Sequence, residues 1–217
     1  RTKAEAELLV REACLAAASG GGVSGPLAVS LGAHQIYGPR ESMFLPNFLQ
    51  VAGLGSLRVF GAGRNRTCFT HVDNFAHALI LGERALCAGS PALGKFYIVT
   101  DGHTHPDPRG CCEFWKELDG MVCAQGFPSL FSRFHFPVGL MMFLGWACDV
   151  VGWLLGRRLK LNSFTVRLLT MHAWFDISAT CKELGYEPLV GFREGWAETA
   201  QWFREHWLPT FDARRAG

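Results

Sequence analysis

The apolar positions change period several times along the chain. "TKAEAELLVREACLAAAS" predicts a helix with Leu8, Leu9, Cys14 and Leu15 near one side and the i,i+4 pair Glu7 and Arg11 on the wet side. The pattern breaks at "SGGGVSGP". It resumes in "PLAVSLGAHQIYGPR" as a buried strand through Leu27, Val29 and Leu31, running into a second extended piece that ends at Gly38-Pro39. An apolar helix over "LPNFLQVAGLG" follows, then short strands over "LRVFG" and "TCFTHV" with the turn "AGRNR" between them. Asp73 is expected to cap the helix "NFAHALILGERALCAG". "GKFYIVTDG" alternates Phe96, Ile98 and Thr100 against Tyr97 and Val99, as a strand does, and "HTHPDPRG" reads as a polar loop. Strands alternating with helices of about 12 residues predict an α/β domain.

The character then changes. From Phe136 to Leu155 there are 20 residues whose only charge is Asp149, followed by Arg157, Arg158 and Lys160. Such a run is long enough to cross a hydrocarbon core of about 30 Å, and a basic flank is expected at a cytoplasmic boundary. Trp146 and Trp153, seven apart, equally suit a helix lying in the membrane interface. A greasy helix pair inside a soluble core is the competing reading. Amphipathic helices return in "FTVRLLTMHAWFDISATCKELGYEPL" and "REGWAETAQWFREHWLP", with Gly185 placed to end a helix in the left-handed conformation.

Composition narrows the classes. At 217 residues, 49% hydrophobic and 18% charged, the chain buries a core, and global disorder is excluded. The net charge is +2 with scattered basic residues, so no nucleic-acid partner is expected. The cysteines at 14, 68, 87, 111, 112, 123, 148 and 181 have neither paired spacing nor a CxxC, and read as free thiols of a reducing compartment. There the sequon Asn65-Arg66-Thr67 goes unused. Gly20, Gly22 and Gly25 have GxGxxG spacing, but they follow a helix and precede a strand. A phosphate loop needs the opposite order, so this run reads as a linker. His71 and His77 read as structural.

Taken in order, "TKAEAE", "YGPR", "FTHVDNFAHALI", "GKFYIVTDG" and "ELGYEPL" resemble the later part of an extended short-chain dehydrogenase/reductase. The resemblance is to the 3β-hydroxysteroid dehydrogenase branch, and within it to sterol-4α-carboxylate 3-dehydrogenases (decarboxylating). It implies an α/β fold: the C-terminal part of an extended, doubly wound Rossmann-type dehydrogenase with a small substrate domain and a hydrophobic, membrane-associated helical segment. Residues 1–133 would hold the later part of the NAD(P)-binding domain with interleaved substrate-binding elements, 134–160 the membrane-associated segment and 161–217 the C-terminal helical substrate region.

"TKAEAE" resembles the stretch that holds and follows the lysine of the family's YxxxK motif. That implies Lys3 as the catalytic lysine, which also holds the nicotinamide ribose, with the tyrosine one residue before Arg1. Four residues along a helix bring both side chains to one face, where an ammonium favours phenolate. The chain is therefore expected to begin inside the catalytic helix and, as a C-terminal fragment, to lack turnover. "LGAHQIYGPR" resembles the family's "LRPxxIYGPR", with Gly32-Ala33 in place of the usual Arg-Pro, and implies cofactor contacts at Ala33 and Ile36. Sugar-nucleotide enzymes of the fold usually carry arginine two residues before Phe69; here Thr67 favours an apolar substrate. Met43, Phe44 and Leu45 are implied as substrate-binding residues.

The cofactor implied is NAD or NADP, and the substrate a sterol or steroid. A membrane-associated homodimer in the endoplasmic reticulum, with its catalytic part facing the cytoplasm, is expected. The family uses no metal, so His103 and His105 read as a solvated loop. The alternatives are a 3β-hydroxy-Δ5-steroid dehydrogenase/isomerase and a non-catalytic, membrane-tethered binding module.

Overall fold

The computed structural model describes residues 2–18, 25–157, 159 and 161–211. Their elements are, in chain order, α1 (Thr2–Ala18), β1 (Ser30–Ala33), β2 (Ile36–Tyr37), α2 (Leu45–Gly53), β3 (Arg66–Thr67), β4 (Thr70–His71) and α3 (Val72–Arg84). After them come β5 (Phe96–Val99), β6 (Cys112–Glu113), α4 (Phe114–Ala124), α5 (Val138–Leu154), α6 (Ser163–Leu168), α7 (Ser178–Leu184) and α8 (Phe192–Trp202), which runs into a π-helical turn over Phe203–Trp207. Gly20, Gly22, Arg158 and Lys160 fall outside the described residues. Two compact units form, each from three stretches of chain.

The first unit takes residues 1–37, 68–111 and 175–195. β1 pairs parallel with β5, Ser30 opposite Phe96 and Ala33 opposite Val99, and β2 pairs parallel with β4. Parallel strands need a crossover, and α3 lies in the connection that carries the chain from β1 to β5. Ala78 of α3 is buried with Val99, Ile177 and Tyr186, and Leu31 and Ile98 pack around them. Gly82 suits this interface because a Cβ there would come within 2.8 Å of Leu31. α3 is capped two residues earlier than its sequence indicates: the His71 ring accepts the Asp73 N–H, and Asp73 sits in the first turn, where its charge complements the helix dipole. α7 ends as expected, with Gly185 at φ 64°. α1 departs from expectation, since Leu8, Leu9 and Leu15 are exposed and only Cys14 of the four is buried. Leu9 and Cys14 stand about 140° apart around a helix, so the four never formed one stripe.

The second unit takes residues 38–67, 112–174 and 196–217. β3 and β6 pair antiparallel, Thr67 opposite Cys112. α4, which the sequence reading leaves unassigned, buries Phe114, Trp115, Leu118, Met121 and Val122 at helical spacing. The Trp115 indole donates to the Leu169 carbonyl at 3.1 Å. "LRVFG" contributes one bridge rather than a strand, Phe60 to Phe136.

α5 occupies most of the 136–155 run and turns back at Gly156 (φ 63°) onto α6. Gly145 lets the α6 backbone approach: a Cβ there would lie 2.9 Å from the Ser163 nitrogen. Asp149, the one charge in the run, accepts that Ser163 N–H at 3.1 Å. At 1.5 Å per residue α5 is about 26 Å long, short of the roughly 30 Å of a hydrocarbon core. Among the described residues no helix is long and apolar enough to cross a membrane.

Candidate functional site

Four of the sequence motifs meet in one buried polar knot in the first unit. Asp101, from "VTDG", is fully buried, and its Oδ1 accepts the His71 N–H at 2.8 Å and an Asn74 amide hydrogen at 2.7 Å. Burial raises the Asp101 carboxyl above its ordinary range, opposed by the hydrogen bonds from Asn74, His71 and Tyr37. Asn74, from "FTHVDN", also donates to the Val190 carbonyl and accepts the N–H groups of Leu189 and Val190 at 2.8–2.9 Å. Tyr37, from "YGPR", is buried edge-on to Phe69, His71 and Phe192. Tyr186, from "ELGYEPL", donates its hydroxyl to the Thr100 carbonyl at 3.0 Å, and burial raises its pKa. These motifs therefore join β2, β4, α3 and the segment before α8 by polar contacts that single residues complete.

His105 belongs to the same knot and corrects the solvated-loop expectation. Its Nε2 accepts the Phe69 N–H at 3.0 Å, its Nδ1–H donates to the Gly102 carbonyl at 2.8 Å, and its ring stacks on Phe192. Burial lowers its pKa and keeps it neutral. His103 is exposed. Among the described residues no cluster of His, Cys, Asp and Glu could hold a metal ion.

Ala33 closes β1 at the carboxyl end of its parallel pair with β5, where ligands of open α/β sheets sit, and Ile36 opens β2 just after it. The turn between them is pinned by its neighbours. The Thr70 hydroxyl lies 2.8 Å from the His34 carbonyl and 2.9 Å from that of Val99, while the Thr70 N–H bonds the Gln35 carbonyl. Gln35 has φ 44°, unusual for a residue with a Cβ. Ala33 is half-buried and Ile36 is 39% exposed, so the two leave a small apolar surface open beside this turn. Lys3 lies in α1; its side chain is outside the described residues.

The second unit holds a cavity of about 450 Å³ whose lining includes Arg40, Ser42, Asn47, Trp202, Trp207 and Phe211. Met43, Phe44 and Leu45 interrupt this lining without joining it. Met43 is 80% exposed, Phe44 packs against Phe48 and Phe114, and Leu45 is completely buried. The aromatic spacing of "QWFREHWLPTF" was the available signal for the aromatic part of the lining.

Residues 1–120 match the model of the 3-beta hydroxysteroid dehydrogenase/isomerase family. The chain belongs to this family. Its relatives include 3beta-hydroxysteroid-dehydrogenase/decarboxylase isoform 1 of Arabidopsis thaliana, 31% identical over 93% of this chain and 44% of the relative. Another is short-chain dehydrogenase/reductase family 42E member 1 of Mus musculus, 30% identical over 95% of this chain and 51% of the relative. The chain thus spans about half the length of the curated relatives it matches or less. Among solved structures, the epimerase Mth375 of Methanothermobacter thermautotrophicus aligns with a TM-score of 0.58 at 18% identity, covering 95% of this chain and 49% of that one. The dTDP-glucose 4,6-dehydratase DesIV of Streptomyces venezuelae aligns equally well, at 0.58 and 18%, over 96% of this chain and 52% of its own. At such identity these likenesses show the fold alone, and the Rossmann-type α/β expectation holds.

Proposed function

We propose that the protein is an NAD(P)-dependent oxidoreductase that oxidises the 3β-hydroxyl of a sterol or steroid, with decarboxylation where a 4α-carboxylate is present. The family match over residues 1–120 carries this reading, and relatives named 3beta-hydroxysteroid-dehydrogenase/decarboxylase supply the substrate class. Lys3 holds the nicotinamide ribose and favours phenolate on a neighbouring tyrosine through its positive charge. NAD or NADP, when bound, supplies the hydride acceptor. Ala33 and Ile36 offer apolar surface to the nicotinamide, and of Met43, Phe44 and Leu45 it is the exposed Met43 that meets the substrate. Oxidation yields a 3-ketone. A 4α-carboxylate then lies β to a carbonyl, and loss of carbon dioxide leaves its electron pair in an enolate.

The test is sterol-dependent NAD(P) reduction by the full-length enzyme, compared with Lys3→Met. A fall in kcat of about 100-fold or more is expected. Unchanged turnover in the variant, or no sterol-dependent reduction by the unaltered enzyme, overturns the reading.

The same reading places the protein on the endoplasmic reticulum membrane with its catalytic part in the cytoplasm. α5 lies in the interface rather than across it: Phe143, Trp146, Trp153 and Leu154 are 69, 68, 81 and 68% exposed. Free cysteines throughout suit a reducing compartment. The exposed Leu8, Leu9, Val10 and Leu15 of α1 support a homodimer, which light scattering on the full-length enzyme would detect as a doubled mass.

A further inference from the structure

The geometry points to a carboxylate-recognition site in the cavity of the second unit, where Arg40 takes the acid group of an amphiphile whose apolar body lies on Trp202, Trp207 and Phe211. At about 450 Å³ the cavity falls within the range of small-molecule sites, about 300–1,000 Å³. One wall is aromatic, with the Trp207 and Phe211 rings stacked at 5.0 Å between centroids. The π-helical turn Phe203–Trp207 forms part of this wall, a backbone irregularity frequent at functional sites. Ser42 and Asn47 add polar groups to the lining.

Charge selects the ligand. Arg40 is exposed, holds a left-handed backbone at φ 68°, and makes no hydrogen bond or ion pair among the described residues. Its acidic neighbour Glu41 also lines the cavity, but its carboxylate is turned to the start of α2: Oε1 accepts the Phe44 N–H and Oε2 the Leu45 N–H, both at 2.7 Å. The cavity therefore combines aromatic walls with a guanidinium whose fork matches a carboxylate. A neutral hydroxysteroid would leave that charge unmatched, whereas a carboxylated one of similar size answers both features. The inference rests on the proposed dehydrogenase reading only in taking this acid for the substrate's own; Arg40 then selects the decarboxylating reaction over the isomerising one.

The experiment measures quenching of tryptophan fluorescence in the full-length enzyme by a steroid carboxylic acid and by its methyl ester. The acid should bind about tenfold more tightly. Arg40→Met should abolish that preference and Arg40→Lys keep part of it, with circular dichroism confirming that both variants fold. Equal binding of acid and ester by the unaltered enzyme, or a full preference surviving in Arg40→Met, overturns the site. Acid preference without oxidation of a 3β-hydroxy-4α-carboxysterol removes the dehydrogenase reading and leaves this one standing. Oxidation without acid preference does the reverse.

Discussion

Asn74 and Trp153 mark opposite extremes of burial. Asn74 is fully buried, and its amide meets Asp101, Leu189 and Val190 with every donor and acceptor used. Trp153 is 81% exposed on a helix whose apolar side chains largely face outward. In the first region the sequence motifs are there to complete hydrogen bonds that would otherwise be lost inside the protein. In the second, apolar surface stays uncovered by the described residues, which is costly in water and points to a covering surface. A motif can thus identify a family without touching its substrate, while a stretch with no motif meets the outside world.

The sharpest test of this contrast is Asn74→Ala. It leaves the Leu189 and Val190 N–H groups and the Val190 carbonyl without partners, and should cost about 3 kcal/mol by urea unfolding at unchanged m-value. A loss below about 1 kcal/mol would mean that the knot is not what holds these segments.

Acidity probes the same knot more gently. Burial lowers His105 from its ordinary 6.5, so the unfolded chain binds this proton more readily than the folded one. The stabilisation is fully present above about pH 6.5 and is lost as pH falls towards the depressed folded value, at up to about 1.4 kcal/mol per pH unit. Asp101, raised by burial, acts in the opposite sense: its contribution is present at low pH and is lost as pH rises through its folded value. Unfolding free energies of His105→Gln between pH 7 and 5 should therefore lose the acid-side decline. An unchanged slope would assign the decline to other groups.

In the second unit, Glu41→Ala removes the acceptor for the first turn of α2 and should cost about 1 kcal/mol, with Glu41→Gln intermediate in thermal melts. The smallest stability effect belongs to Phe143→Ser, Trp146→Ser and Trp153→Ser, each within about 0.5 kcal/mol because the side chains are already exposed. Together they should abolish co-sedimentation with phospholipid vesicles. If the three substitutions instead unfold the protein, the contrast with Asn74 collapses.

Local pattern was legible in the sequence and long-range satisfaction was not. The strands around Leu31, Thr70 and Ile98, the helices at 45–53 and 72–84 and the left-handed Gly185 follow from spacing and turn chemistry. His105 looks solvated among prolines and glycines, yet its partner Phe69 lies 36 residues away. Asp73 is a good capping residue by type, but the preceding strand brings His71 into the capping position first. α4 carries a clear apolar spacing, interrupted by Gly120 and flanked by a loop and a longer greasy run that draw the eye. Arg40 belongs to a motif read for its tyrosine and backbone, and its aromatic counterparts lie some 160 residues further along, beyond any local periodicity.

The chain passes between its two units at residues 37/38, 67/68, 111/112, 174/175 and 195/196. A cut anywhere within 38–195 consequently divides both. For recombination, the region is a single indivisible cassette: a crossover inside it would mate part of each unit with a foreign complement, and neither unit can be inherited or exchanged as one contiguous stretch.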